Sequence, residues 1–132
     1  MTKAELLELK RNEYKDWDKK KAVDVTGMNG FNLMHVKKQT VKMCIAAVKS
    51  RPFSLPFVQR QTDSICLTAV KRAGSALQFV HNQTDAICLA AVKQDGEALR
   101  FVRNQTLEIC LAAVEQNEDA IRYVNEKSIT HQ

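Results

Sequence analysis

The order of apolar and polar residues along this chain repeats every 22 positions. Gln39-Thr40, Gln61-Thr62, Gln83-Thr84 and Gln105-Thr106 each open a copy. Cys44, Cys66, Cys88 and Cys110 follow at one position, and Val48, Val70, Val92 and Val114 one helical turn later. Val58, Val80, Val102 and Val124 stand near the end of each copy. A fixed period of this size marks a repeat array, in which no unit buries its apolar face alone and stacked neighbours supply the core.

Residues 83–104 make the type unit. Thr84 is placed to N-cap a helix, with Asp85 in its first turn, where the helix dipole favours a carboxylate. Ile87/Ala91 and Cys88/Val92 are pairs one turn apart and share a face. Gly96, just after Asp95, reads as the stop of this helix. Ala98, Leu99, Phe101 and Val102 then form a second, short helix of about two turns. Each unit is predicted to be a helix–turn–helix hairpin too short to persist alone. Leu89 and Phe101 pack within the hairpin and on its neighbours, and Ala90-Ala91, with Ala46-Ala47, Thr68-Ala69 and Ala112-Ala113, let backbones approach closely.

The copies decay toward both ends. Residues 17–38 fit as a degenerate leading repeat, with Ala22 at the Cys position, Gly30 at the Gly position, Leu33 at the Leu position and Val36 at the late Val. Residues 1–16 read as a charged capping helix carrying Leu6, Leu7, Leu9 and Tyr14. Four tandem repeats occupy 39–126, and 127–132 is a truncated repeat start or tail. In the unit 39–60, Pro52 replaces the Gly and Pro56 falls inside the second helix, which is tolerable if that helix starts near Phe53. The expected fold is all-α: a short α-solenoid of tandem 22-residue hairpins behind an N-terminal capping helix.

The pattern Gln-Thr-x-x-Ile-Cys-Leu-Ala-Ala-Val-Lys-x-x-Gly-x-Ala-Leu-x-Phe-Val resembles a family of short tandem helical repeats classified only as a domain of unknown function. Residues 83–102 fit it best, within a span of roughly 39–126. The family occurs in secreted effectors of intracellular bacteria, in protists and in viral or phage genomes. The resemblance implies an interaction module and supplies no catalytic residues.

Composition narrows the function. Aromatics are only 6% of residues, so aliphatics and Ala must make the core. No apolar run approaches the ~18 residues of a membrane span, and the charged N-terminus lacks a signal-peptide core. A cytoplasmic or host-cell cytosolic, reducing compartment is expected. The four Cys share one repeat position, where neighbouring helices lie about 8–10 Å apart, beyond the roughly 7 Å that a disulfide spans. They read as buried thiols rather than cystines or metal ligands. His35, His81 and His131 occupy unrelated repeat positions, with no nucleophile or carboxylate at a fixed spacing. The sequence thus points away from an enzyme, a metal and a cofactor.

Charge directs attention to surfaces. The net charge is +5, but residues 1–60 carry +7 and residues 61–132 carry −2. On the second helices, two variable polar positions give Pro56/Gln59, Gln78/His81, Arg100/Arg103 and Arg122/Asn125. Stacked, they predict a polar ridge that grows basic toward the C-terminus, with Gln78, His81, Arg100, Arg103 and Arg122 as candidate binding residues for an acidic protein surface or a phosphate backbone. Phe53 is a further candidate anchor, because its counterparts Ser75, Glu97 and Asp119 are polar. The expected function is a protein–protein interaction module. Nucleic-acid-backbone binding through the basic half and a small inhibitor that occludes a host or defence protein are the alternatives. The last unit would leave parts of Ile109, Leu111 and Ile121 uncovered. Its acidic end and the basic opposite end allow weak, salt-sensitive head-to-tail self-association, unless 127–132 folds back over the edge.

Overall fold

Two layers of short helices run side by side. The computed structural model describes residues 2–4, 33 and 36–130. The α helices are α1 (Val41–Ser50), α2 (Asp63–Arg72), α3 (Asp85–Gln94), α4 (Leu107–Gln116) and α5 (Glu126–Thr130). Alternating with the first four are six-residue 3-10 helices: η1 (Pro52–Phe57), η2 (Gly74–Phe79), η3 (Gly96–Phe101) and η4 (Glu118–Tyr123). Each of α1 to α3 packs on the next α helix, and each η helix on the next η helix. The described residues contain no strand, and the hairpins stack as the 22-residue period requires, in a short all-α solenoid.

The starts follow the expected chemistry. Thr40, Thr62, Thr84 and Thr106 are extended N-caps whose Oγ1 accepts the N–H of Met43, Ile65, Ile87 and Ile109 at 3.1, 3.3, 3.2 and 3.2 Å. Each cap satisfies one of the orphan donors of a helix start.

The ends differ from the expectation. Gly96 does not terminate α3. That helix stops at Asp95, an extended residue whose N–H still bonds to Ala91 O, and Gly96 already begins η3. Arg51, Ala73 and Asn117 do the same in the other units. No Gly among the described residues has a positive φ, so the need for glycine is one of space. A Cβ on Gly74 would fall closer than 3.0 Å to Ala91 O, and one on Gly96 equally close to Ala113 O. Glycine on one side and alanine on the other let α3 settle onto η2 and α4 onto η3.

The second helices are 3-10 rather than α. Asp95 and Asn117 cap η3 and η4 by accepting the N–H of Glu97 and Asp119, each at 3.0 Å. Pro52 opens η1 and Pro56 lies within it. The start is one residue earlier than Phe53, which suits proline because a first-turn N–H has no helical partner.

The core runs as a strip between the layers. The inner faces of the α helices contribute Cys44, Ala47 and Val48 and their equivalents, and the η helices contribute Leu55, Leu77 and Leu99. Ser54 stands where the other units have Ala76, Ala98 and Ala120, and its hydroxyl donates to Arg51 O at 2.6 Å. Leu33 and Val36 are buried in the positions of Leu55 and Val58, and Val36 N donates to Leu33 O as Val58 N does to Leu55 O. The remainder of the expected leading repeat and the capping helix at 1–16 lie outside the described residues, apart from 2–4.

The C-terminal edge departs from the expectation in two ways. Ile109 is fully buried, because it occupies the inner-face position of Ile65 and Ile87. Leu111 and Ile121 are 54% and 66% exposed. Helix α5 starts at Glu126, ahead of the Lys127-Ser128-Ile129 that would have begun another copy, and Ile129 packs against the core.

Candidate functional site

The opening Gln of each unit is a structural clamp that sequence reasoning passed over. Gln83 Nε2 donates to Phe101 O at 2.8 Å and to Leu77 O at 3.5 Å, and its Oε1 accepts the N–H of Arg103 at 3.0 Å. The Cys88 thiol points at the same oxygen, with Sγ at 3.7 Å. Gln39 and Gln105 make the same four contacts, and Gln61 makes three of them. One amide thus joins the end of the preceding η helix, the end of its own η helix and the linker beyond it. The exact recurrence of Gln together with Cys was the available signal.

The thiols are set by the same geometry. All four Cys are free and buried. Burial pushes Cys44 from 9.0 up to about 11. Cys88 is also raised to about 11, first by burial and then by Asp85, with Arg103 opposing. Cys66 and Cys110 are raised for the same first reason. A thiol held protonated in this way is a poor nucleophile and a poor metal ligand. Among the described residues, no group of three or more His, Cys, Asp or Glu is placed to hold a metal ion. No described helix is long and apolar enough to cross a membrane.

The ridge residues line up on the η layer, with their side chains partly engaged. Gln78 is exposed and donates to Ser75 O within η2 at 3.0 Å. Arg100 is exposed, its guanidinium 4.7 Å from the Phe101 ring centroid. Arg122 lies 4.9 Å from the Tyr123 ring and 3.1 Å from Glu97 on η3, so a carboxylate meets the basic end of the row. Both pair cation and ring as a guanidinium over an aromatic face does. His81 and Arg103 fall in the bends after η2 and η3, not on the helices. Both line a cleft of about 230 Å³, together with Asn82, Asp85, Cys88 and Asn104. Arg103 Nη2 donates to Val80 O, which ties this arginine to the preceding unit. Phe53 is 53% exposed and meets Phe79 edge-on, with centroids 5.8 Å apart and rings at 85°. It opens with Arg51, Ser54 and Phe57 onto a notch of about 210 Å³.

A stack of capped, clamped hairpins with variable outer positions defines a helical-repeat scaffold. Within it, residues 86–128, about two units, match the family model described as a domain of unknown function (DUF4116). That match agrees with the resemblance carried by the Gln-Thr and Cys-Leu-Ala-Ala-Val signature. No curated protein and no solved structure matches the chain.

Proposed function

We propose that this chain is a non-enzymatic binding module that holds another protein, of acidic surface, against the η-layer ridge. One observation carries the reading. Buried positions hold the same residue in all four units, as Cys44, Cys66, Cys88 and Cys110 and Ala47, Ala69, Ala91 and Ala113 do, while the exposed position beside the half-buried aromatic runs Pro56, Gln78, Arg100, Arg122. Packing accounts for the constancy of the first set and places no demand on the second, which is free to be shaped by a partner. Phe53, in its notch at the other end of the row, suits an apolar anchor. An inhibitor that occludes its target would use the same surface. The buried, protonated thiols fit a reducing compartment such as a cytosol.

The test is capture from the source cell with a photo-crosslinker in place of Gln78, followed by measured affinity for the captured protein. Arg100→Glu is expected to weaken binding about tenfold with an unchanged melting temperature. Equal affinity of Arg100→Glu and the natural chain at physiological salt overturns the ridge as the site.

A further inference from the structure

The α layer presents a second surface, on the side away from the ridge. Lys49, Lys71 and Lys93 occupy one repeat position in the last turns of α1, α2 and α3. All three are exposed, and none makes an ion pair among the described residues. The same position in α4 holds Glu115. The exposed position two turns earlier runs Lys42, Ser64, Ala86, Glu108, so it too is acidic in α4. A cation in the last turn suits the helix dipole, but the dipole does not account for the switch to Glu115. Between the charged positions the surface is apolar or small: Leu67 and Leu89 are half-buried, as are Thr68 and Ala90, and Ala86 is exposed.

The spacing has a natural complement. Helices packed side by side lie about 8–10 Å apart, so the three lysines stand in a row at that interval. In an α helix, residues seven apart lie on one face and are separated by about 10.5 Å along the axis. A helix laid across α1, α2 and α3 therefore meets successive lysines with residues i, i+7 and i+14. Its next residue in that register, i+21, meets Glu115 and must be basic or neutral. A nucleic-acid strand fits the row less well. Its charges recur about every 3.4 Å along a strand without changing sign, whereas this surface carries exposed Asp63 and Asp85 in the first turns of α2 and α3 and is acidic throughout α4 at Glu108 and Glu115.

We propose that the α layer is a docking face for an acidic amphipathic helix of a partner protein, its carboxylates on Lys49, Lys71 and Lys93 and its apolar side chains on Leu67, Ala86, Leu89 and Ala90. The proposal rests on the binding-module reading but uses the opposite layer, so the two can fail separately.

The experiment uses the full chain and two labelled synthetic helical peptides in fluorescence anisotropy. One carries Glu at i, i+7 and i+14, Lys at i+21 and Leu at the flanking positions. The other has the same composition with its charges spread around the helix. The patterned peptide is expected to bind at least about tenfold more tightly. Lys71→Glu with Lys93→Glu is expected to remove that advantage, and exchanging the two facing Glu of the peptide for Lys to restore binding to this variant. Both substitutions lie on exposed positions, and circular dichroism confirms that the helices remain. Failure of the patterned peptide to bind, equal binding of the two peptides, or unchanged affinity of the double variant each overturns the proposal. So does a single-stranded RNA that binds the natural chain more tightly than the peptide and loses affinity in the double variant. If the peptide fails while Arg100→Glu still weakens the captured partner, the docking face is wrong and the binding-module reading stands.

Discussion

The side-chain oxygen of Gln94 accepts the N–H of Gly74, 20 residues earlier and in the preceding unit, at 2.5 Å. Gln116 does the same for Gly96, also at 2.5 Å. The glycine leaves room for the following helix, and the glutamine of that helix satisfies the donor the contact would otherwise strand. In the preceding unit Pro52 has no N–H to satisfy, and the residue in the Gln94 position is Arg72. Here η1 is held less closely by α2 than η2 is by α3.

Breaking this joint should destabilise without unfolding the array. Gln94→Ala leaves the Gly74 N–H buried and unpaired, and should cost about 1–3 kcal/mol. Arg72→Ala, at the Pro52 joint, should cost less than 1 kcal/mol, as surface changes usually do. Urea unfolding of the two variants decides the point, and equal costs would show that the amide contact does not matter.

Gly96→Ala tests the steric half of the joint. Its new methyl must move the Ala113 carbonyl or the whole of α4, so a loss of roughly 1–3 kcal/mol is expected. Because the φ of Gly96 is not left-handed, an unstrained site would instead gain stability from alanine. The sign of the change in melting temperature separates the two.

The clamp can be measured by a double-mutant cycle. Gln83→Ala strands the part-buried Phe101 O and leaves the exposed Arg103 N–H to water, and should cost about 1–3 kcal/mol. Cys88→Ala alone removes a small buried side chain and one weak donor. Denaturation of the single and double variants should show coupling well above the roughly 0.3–0.5 kcal/mol scatter of independent sites. Strict additivity would separate the thiol from the clamp. Leu99→Ala, at a fully buried position, is the apolar reference and should cost roughly 2–5 kcal/mol.

The thiols predict a pH dependence. Cys44 and Cys88 move from 9.0 to about 11 in the folded chain. The folded state therefore holds these protons where the unfolded chain releases them. Their contribution is complete below pH 9 and is lost as pH rises through about 11. Stability measured under reducing conditions should fall over that interval, and less steeply in Cys88→Ala. A thiol reagent at neutral pH should label the native protein slowly and all four Cys after denaturation.

The period, the hairpins, the Thr caps and the Leu and Val core were legible because each rests on local chemistry or on strict recurrence. The glycine was read as a terminator because helices commonly end that way. Its actual partner is a carbonyl 17 residues on, a contact that only the stacking creates. The Gln clamp was missed for a related reason: its bonds run 6, 18 and 20 residues along the chain. Of the ridge, the row on the η helices was legible, but the anchoring of Arg103 to Val80 O and the pairing of Arg122 with Glu97 depend on neighbouring units. The lysine row was legible in principle, since the same comparison of copies that found the ridge also yields Lys49, Lys71, Lys93 and Glu115.

The clamp also bears on how the array comes apart. Gln83 and Gln105 each bond a carbonyl of the unit before and a carbonyl of their own, so a cut before either one breaks a clamp, whereas Gln61 bonds only within its own unit. In a one-dimensional chain of this kind, stability divides into an intrinsic term for each unit and a coupling term for each junction. At Gln83 and Gln105 one side chain closes its own hairpin and bonds across the junction, so losing the unit costs the junction as well. The units from residue 61 onward are therefore expected to melt together, and the junction before Gln61, which no clamp crosses, is where the array is expected to part first.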